Sequence, residues 1–142
     1  MKTEILSDRS DAELKRAADL LAENKLVAFP TETVYGLGAN ALDSDAVRRI
    51  FEAKGRPQDN PLIVHIESPE KAECLAYTNE LYYKLAKAFM PGPITVIIPK
   101  KNVLSEVVTA GLDSVGIRVP LYAPARELIK LAGVPIAAPS AS

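Results

Sequence analysis

Apolar residues recur along this chain at two alternating periods, one near 3.6 and one near 2, and that alternation predicts helices interleaved with strands. Ser10-Asp11-Ala12-Glu13 forms a capping box, and Leu14, Ala17, Ala18 and Leu21 follow at i, i+3, i+4 and i+7, which predicts a first helix running to about Asn24. Lys25-Leu26-Val27-Ala28-Phe29 reads as a short strand ended by Pro30. A long loop follows. From Ser44 to Ala53, Ala46, Val47, Ile50 and Phe51 return to helical spacing, with Gly55 where a C-cap glycine would stand.

Leu62 to Ile66 reads as a buried strand, with Leu62, Val64 and Ile66 on one face and Ile63 and His65 on the other. Ser68 and Pro69 suit the N-cap and first position of another helix, and Leu81, Leu85 and Phe89 mark a further one, broken by Met90-Pro91-Gly92-Pro93. Ile94 to Ile98 and Val115 to Val119 are strand-like, Pro124 to Ala132 reads as a helix stopped by Gly133, and Val134 to Ala138 is the last strand. Strand, loop, helix, strand is α/β order, and no linker interrupts it.

Composition narrows the function classes. The 142 residues are 48% hydrophobic and 25% charged, enough for one globular domain that buries about two thirds of its unfolded surface. A formal net charge of −1 argues against a domain that coats nucleic acid non-specifically, while permitting a local basic groove. The N-terminal residues lack the apolar core of a signal peptide, and no run approaches a membrane span, so a cytoplasmic protein without membrane contact is expected. The single cysteine, Cys74, reads as a small core hydrophobe in a reducing compartment.

The candidate chemistry lies at strand ends, where open α/β sheets bind ligands. Lys54-Gly55-Arg56-Pro57-Gln58-Asp59-Asn60-Pro61 concentrates cations in a turn stiffened by two prolines. Lys54, Arg56 and the amide of Asn60 converge there on a volume suited to phosphate, or else the two cations merely complement the negative end of the preceding helix. Pro30-Thr31-Glu32-Thr33-Val34-Tyr35-Gly36-Leu37-Gly38-Ala39 sets hydroxyls, a carboxylate and a phenol after a strand, then glycines that permit close backbone approach. Gly36-x-Gly38 is not a dinucleotide fingerprint, because a third glycine is missing and the helix starts too late, and no P-loop occurs.

His65, the sole histidine, is either a satisfied strand residue or a ligand to substrate. Arg118 interrupts an apolar strand and requires a partner, which a substrate carboxylate would supply bidentately and which Asp113 or Glu127 would supply as an internal ion pair. Pro139-Ser140-Ala141-Ser142 ends the chain in small residues and hydroxyls. There is no Ser-His-Asp arrangement with a nucleophile elbow and no defensible acid/base pair of carboxylates. The inventory is one of binding groups, suited to an enzyme that positions reactants and stabilises phosphate charge.

Together these segments resemble the YrdC-like threonylcarbamoyl-AMP synthases. The resemblance rests on Phe29 to Gly38, Lys54-Gly55-Arg56-Pro57 with Asn60-Pro61-Leu62, Pro91-Gly92-Pro93-Ile94-Thr95, Gly116 to Pro120 and Ala138-Pro139-Ser140-Ala141, in order and spacing over nearly the whole chain. It implies a single-domain, twisted, open mixed α/β sheet with flanking helices and a concave basic cavity. It further implies that residues 1–142 are a catalytic domain incomplete at its C-terminal end.

The implied reaction is a nucleotidyl transfer from ATP, with magnesium on the phosphates, that joins L-threonine and bicarbonate as threonylcarbamoyl-AMP and releases pyrophosphate. A downstream transferase complex would use the product to modify tRNA. By resemblance, Lys54 and Arg56 are catalytic and contact nucleotide together with Asn60, Ser114 and Ser140, while Thr33, His65, Arg118 and the backbone of Ala138 hold L-threonine. The family's Ser-x-Asn reads Ser140-Ala141-Ser142 here. Rival readings are a non-catalytic RNA-binding module using the same cavity, for which 6% aromatic residues offer little stacking surface, and a carbamoyl-adenylate-forming domain of a larger maturation enzyme.

Overall fold

The structure, a computed structural model, describes residues 6–7, 9–55, 57 and 60–139. Helices α1 (Asp11–Ala22), α2 (Ser44–Lys54), α3 (Glu80–Phe89), α4 (Glu106–Thr109) and α5 (Ala123–Ala132) alternate with strands β1 (Val27–Pro30), β2 (Tyr35–Asn40), β3 (Ile63–His65), β4 (Val96–Pro99), β5 (Ser114–Arg118) and β6 (Ile136–Ala138). The helix boundaries follow local chemistry. Ser10 Oγ accepts the Glu13 amide at the start of α1, and Asn79 accepts the Tyr82 amide at the start of α3. Gly55 (φ 63°) and Gly133 (φ 73°) close α2 and α5 in the left-handed region that favours glycine.

The six strands form one open mixed sheet in the order β1-β2-β6-β3-β5-β4. Only β3 and β5 run parallel; every other neighbouring pair is antiparallel. Side chains alternate between two cores on opposite faces. Leu62, Val64, Ile66, Val115, Ile117 and Ala137 pack in the core that holds α2 and α3. Ile136, Ala138 and Phe29 pack in the other, beneath α1 and α5.

Three local readings change. The segment expected to be loop after Pro30 contains β2, whose register pairs Val27 with Gly38 and Pro30 with Tyr35. Two glycines weaken its sequence signature, yet they fit because the Phe29 ring occupies the space above both. The helix expected at Ser68 is a 3-10 helix over Pro69–Cys74, at whose start Ser68 makes no side-chain cap. Cys74, at its end, is exposed rather than a core residue.

Candidate functional site

Only Ala39 and Asn40 of β2 pair with β6; Tyr35 to Gly38 pair with β1 instead. The β1–β2 hairpin thereby leans over the sheet. Gly36 comes against Ala138, Gly38 against Ile136, and the Phe29 ring stands edge-on to His65 with centroids 5.7 Å apart. The turn at the tip of the hairpin reaches the end of β5.

That turn is built from hydroxyls. Thr31 donates through Oγ1 to the Val34 carbonyl at 2.8 Å, and Thr31 and Thr33 hydroxyls lie 3.0 Å apart. A hydroxyl has one proton, so with that of Thr31 on Val34, Thr33 donates to Thr31 and its oxygen remains an acceptor. Arg118 Nη2 donates to Thr33 Oγ1 at 3.3 Å.

Arg118 is 9% exposed and its charge needs a partner. That partner is Glu32, not Asp113 or Glu127, both of which are exposed. Glu32 Oε1 lies 2.9 Å from Arg118 Nη2, and Glu32 Oε2 accepts the Leu121 amide at 2.9 Å. The contact is close but poorly aligned: Glu32 Oε1 and Arg118 Nε are buried without a hydrogen-bond partner among the described residues. Burial acts to raise the Glu32 carboxyl, but the Leu121 amide, its own backbone amide and the Arg118 guanidinium outweigh it and hold the group below its ordinary range. No local periodicity joins a turn to a strand so far along the chain, and the sequence signals this partner only as a carboxylate between two threonines at a strand end.

His65 sits beside Arg118 in the parallel β3–β5 register and opposite Ile136 in β6. It is 4% exposed, and its Nδ1 lies 3.3 Å from the Ile136 carbonyl. A carbonyl only accepts, so Nδ1 carries the proton and Nε2 is left as an acceptor. Burial, reinforced by the Arg118 guanidinium, lowers its pKa to about 4, which keeps the ring neutral at physiological pH. One guanidinium and two acceptors, remote in sequence, thus gather where the hairpin tip meets the ends of β3 and β5, a set that matches an amino acid's carboxylate and its N–H and O–H donors.

A second feature opens at the other end of β3. Ile50, Phe51, Lys54, Asn60, Pro61, Leu62 and Pro139 line a cleft of about 250 Å³. The register that pairs Ile63 with Gly116 sets Ser114 level with Pro61, at this same end. Leu62 and His65 are three residues apart on extended chain, about 10 Å. Ala138, paired with Ile63, immediately precedes Pro139 in the cleft wall. The structure therefore brings Thr33, His65 and Arg118 together and Lys54 with Asn60 together, while Arg56 and Ser140 lie outside the described residues. Lys54 is the cation among the cleft's described lining residues, and the wider basic cavity is not a feature of those residues.

The profile of the Sua5/YciO/YrdC family, described as telomere recombination, matches residues 19–142. The chain belongs to the Sua5/YciO/YrdC family. It is similar to the threonylcarbamoyl-AMP synthase of Pyrococcus abyssi, with 58% identity over 130 residues that cover 91% of this chain and 38% of that protein. The Bacillus subtilis threonylcarbamoyl-AMP synthase is 55% identical over 135 residues, covering 94% of this chain and 39% of that one. The crystal structure of P. abyssi Sua5 complexed with L-threonine matches with a TM-score of 0.89 at 55% identity, covering 96% of this chain and 40% of that chain. The chain thus spans less than two fifths of the length of these curated Sua5/YciO/YrdC relatives, at 38% and 39%.

Proposed function

We propose that the chain carries the threonylcarbamoyl-AMP synthase reaction, a nucleotidyl transfer that converts L-threonine, bicarbonate and ATP to L-threonylcarbamoyladenylate, pyrophosphate and water, the water leaving as bicarbonate condenses with the threonine amine to a carbamate. The observation that supports it most directly is the buried Arg118 beside two acceptors, Thr33 Oγ1 and His65 Nε2, on a chain 55–58% identical to proteins named for that product. Arg118 takes the threonine carboxylate. Thr33, His65 and the Ala138 backbone orient the amino and hydroxyl groups, and a neutral His65 accepts a hydrogen bond without repelling an ammonium group.

The nucleotide occupies the cleft at the start of β3, with Lys54, Arg56, Asn60, Ser114 and Ser140 on it. A threonine carbamate oxygen attacks the α-phosphorus of ATP, the bond to the β-phosphate oxygen breaks, and pyrophosphate leaves with the electron pair. Lys54 and Arg56 offset the charge that develops. Magnesium would bind with the ATP phosphates and would supply further charge neutralisation there.

The product is a reactive mixed anhydride, and a tRNA-modifying transferase complex consumes it. An exposed lone thiol at Cys74 suits a reducing cytoplasm, and no helix among the described residues is long and apolar enough to cross a membrane. The test is pyrophosphate release from ATP, which is expected to require L-threonine and bicarbonate together. Release indifferent to threonine, or RNA binding without threonine or ATP binding, overturns the reading.

A further inference from the structure

The guanidinium of Arg118 does not stand alone. We infer that Glu32 is a positioning residue, a fixed carboxylate that aims Arg118 at the substrate's carboxylate; the inference rests on Arg118 being the group that reads threonine. Three links support it, the first local and the other two between elements remote in sequence. Arg126 Nη1 donates to the Pro120 carbonyl at 2.9 Å and fastens the loop after β5 to α5. The Leu121 amide in that loop donates to Glu32 Oε2 at 2.9 Å. Glu32 Oε1 then lies 2.9 Å from Arg118 Nη2, whose second contact is Thr33 Oγ1 at 3.3 Å.

Glu32 and Thr33 thus hold the same end of the guanidinium. They leave Nε as a buried donor with no partner among the described residues, and Arg118 is only 9% exposed. An arginine presents its donors in a planar fork, so fixing one nitrogen fixes the direction of the rest. An unsatisfied buried donor is costly, and an anion that satisfies it gains accordingly. The charge balance points the same way. A carboxylate already beside Arg118 disfavours anions held by charge alone and leaves the preference to a ligand whose carboxylate meets the fork in the correct plane.

Calorimetric titration of the full chain with L-threonine and with L-threoninamide, which lacks the carboxylate charge, tests the assignment. The unaltered chain is expected to prefer threonine. In Glu32→Gln threonine affinity should fall about tenfold or more while threoninamide affinity changes little, so the preference collapses. Glu32→Asp, which retains the charge one methylene farther from Arg118, should fall between the two and decides the matter if the glutamine variant does not fold. Equal weakening of both ligands would reduce Glu32 to a structural tie. Threonine bound as tightly or more tightly by the variants would make Glu32 a competitor for Arg118, and either result overturns the inference. An unaltered chain that shows no preference for threonine over its amide overturns the carboxylate-reading role of Arg118 itself, and this inference with it.

Discussion

His65 donates from Nδ1 to the Ile136 carbonyl at 3.3 Å while the edge-on Phe29 ring packs against the same imidazole. The ring is tied to β6 through one nitrogen and shielded by β1; burial and the Arg118 guanidinium favour its neutral form and outweigh the Ile136 carbonyl, which favours the charged one. An imidazole in the unfolded chain titrates near 6.5, whereas this one titrates at about 4. Between those values the unfolded chain binds a proton that the folded chain refuses. The contribution is whole above pH 6.5, is lost as pH falls from 6.5 to 4 by on the order of 3 kcal/mol, and is level below. Glu32, held below 4.5, adds its own loss once pH falls below 4.5, at the acid end of the His65 window. Because the chain has one histidine, urea unfolding between pH 7.5 and 5 reads the His65 part of this window before Glu32 contributes. A His65→Asn variant should flatten the slope there, and an unchanged slope would mean that another group titrates.

Arg118→Ala should do two separable things. It removes the carboxylate reader, so threonine binding is lost. It also leaves Glu32 beside an apolar sheet without its cation, destabilising the fold by about 3 kcal/mol, the low end for a broken buried pair because Glu32 keeps some solvent contact. Adding Glu32→Ala should restore much of that stability without restoring threonine binding. Thermal melts beside calorimetry separate the effects; a double variant no more stable than the single one would show that the pair is not where the loss arises.

Helices α1 and α2 were legible because each carries an apolar stripe with its boundary signals beside it: Leu14, Ala17, Ala18 and Leu21 behind Ser10, or Ala46, Val47, Ile50 and Phe51 ahead of Gly55. Helix α3 forms where Leu81, Leu85 and Phe89 predict it, but Leu81 and Phe89 are exposed and Tyr82 and Ala86 face the core, while the single turn of α4 is too short to carry a period. The alternation of Leu62, Val64 and Ile66 against His65 also assigned the two faces correctly. Strand β2 was hidden because Gly36 and Gly38 have no side chains to alternate, and what fills their places is Phe29 from the neighbouring strand. Glu32 was visible as a carboxylate, but its pairing with Arg118 depends on a hairpin leaning across the sheet. No local pattern encodes that, and partners near Arg118 in sequence, Asp113 and Glu127, were the natural but incorrect choice. Cys74 follows the composition of buried residues in general but ends an exposed 3-10 turn.

The same two glycines give a matched pair of variants. A methyl group at Gly38 would meet Ile136 Cγ2 and Phe29 Cε1 at 2.7 Å each, whereas one at Gly36 meets Ala138 at 3.4 Å and Phe29 at 3.5 Å, ordinary contact. Gly38→Ala should therefore destabilise by about 1–3 kcal/mol, the usual result of overpacking, and Gly36→Ala should be near neutral. Since Phe29 packs on His65, displacement of the ring at Gly38→Ala should also weaken threonine binding. Equal melting of both variants would show that the hairpin lies farther from β6 than the structure has it.

Lys54 offers the sharpest choice between a structural and a chemical role. It stands in the last turn of α2, where a cation facing the helix C-terminus contributes about 0.3–1 kcal/mol, and it lines the cleft at the start of β3. Gly55 already closes the helix in the left-handed region, and the helix does not depend on the lysine for its end. Lys54→Ala should accordingly lower the unfolding free energy by no more than about 1 kcal/mol. If Lys54 faces the charge that develops during transfer at the α-phosphorus, the chemical step should slow by about 2–4 kcal/mol, the loss typical of removing one preorganised electrostatic stabiliser. Pyrophosphate release measured at saturating ATP and threonine, beside a denaturation curve, distinguishes the two. A variant that melts early yet turns over normally returns Lys54 to the helix end, whereas a stable variant with slowed release ties it to the phosphate chemistry.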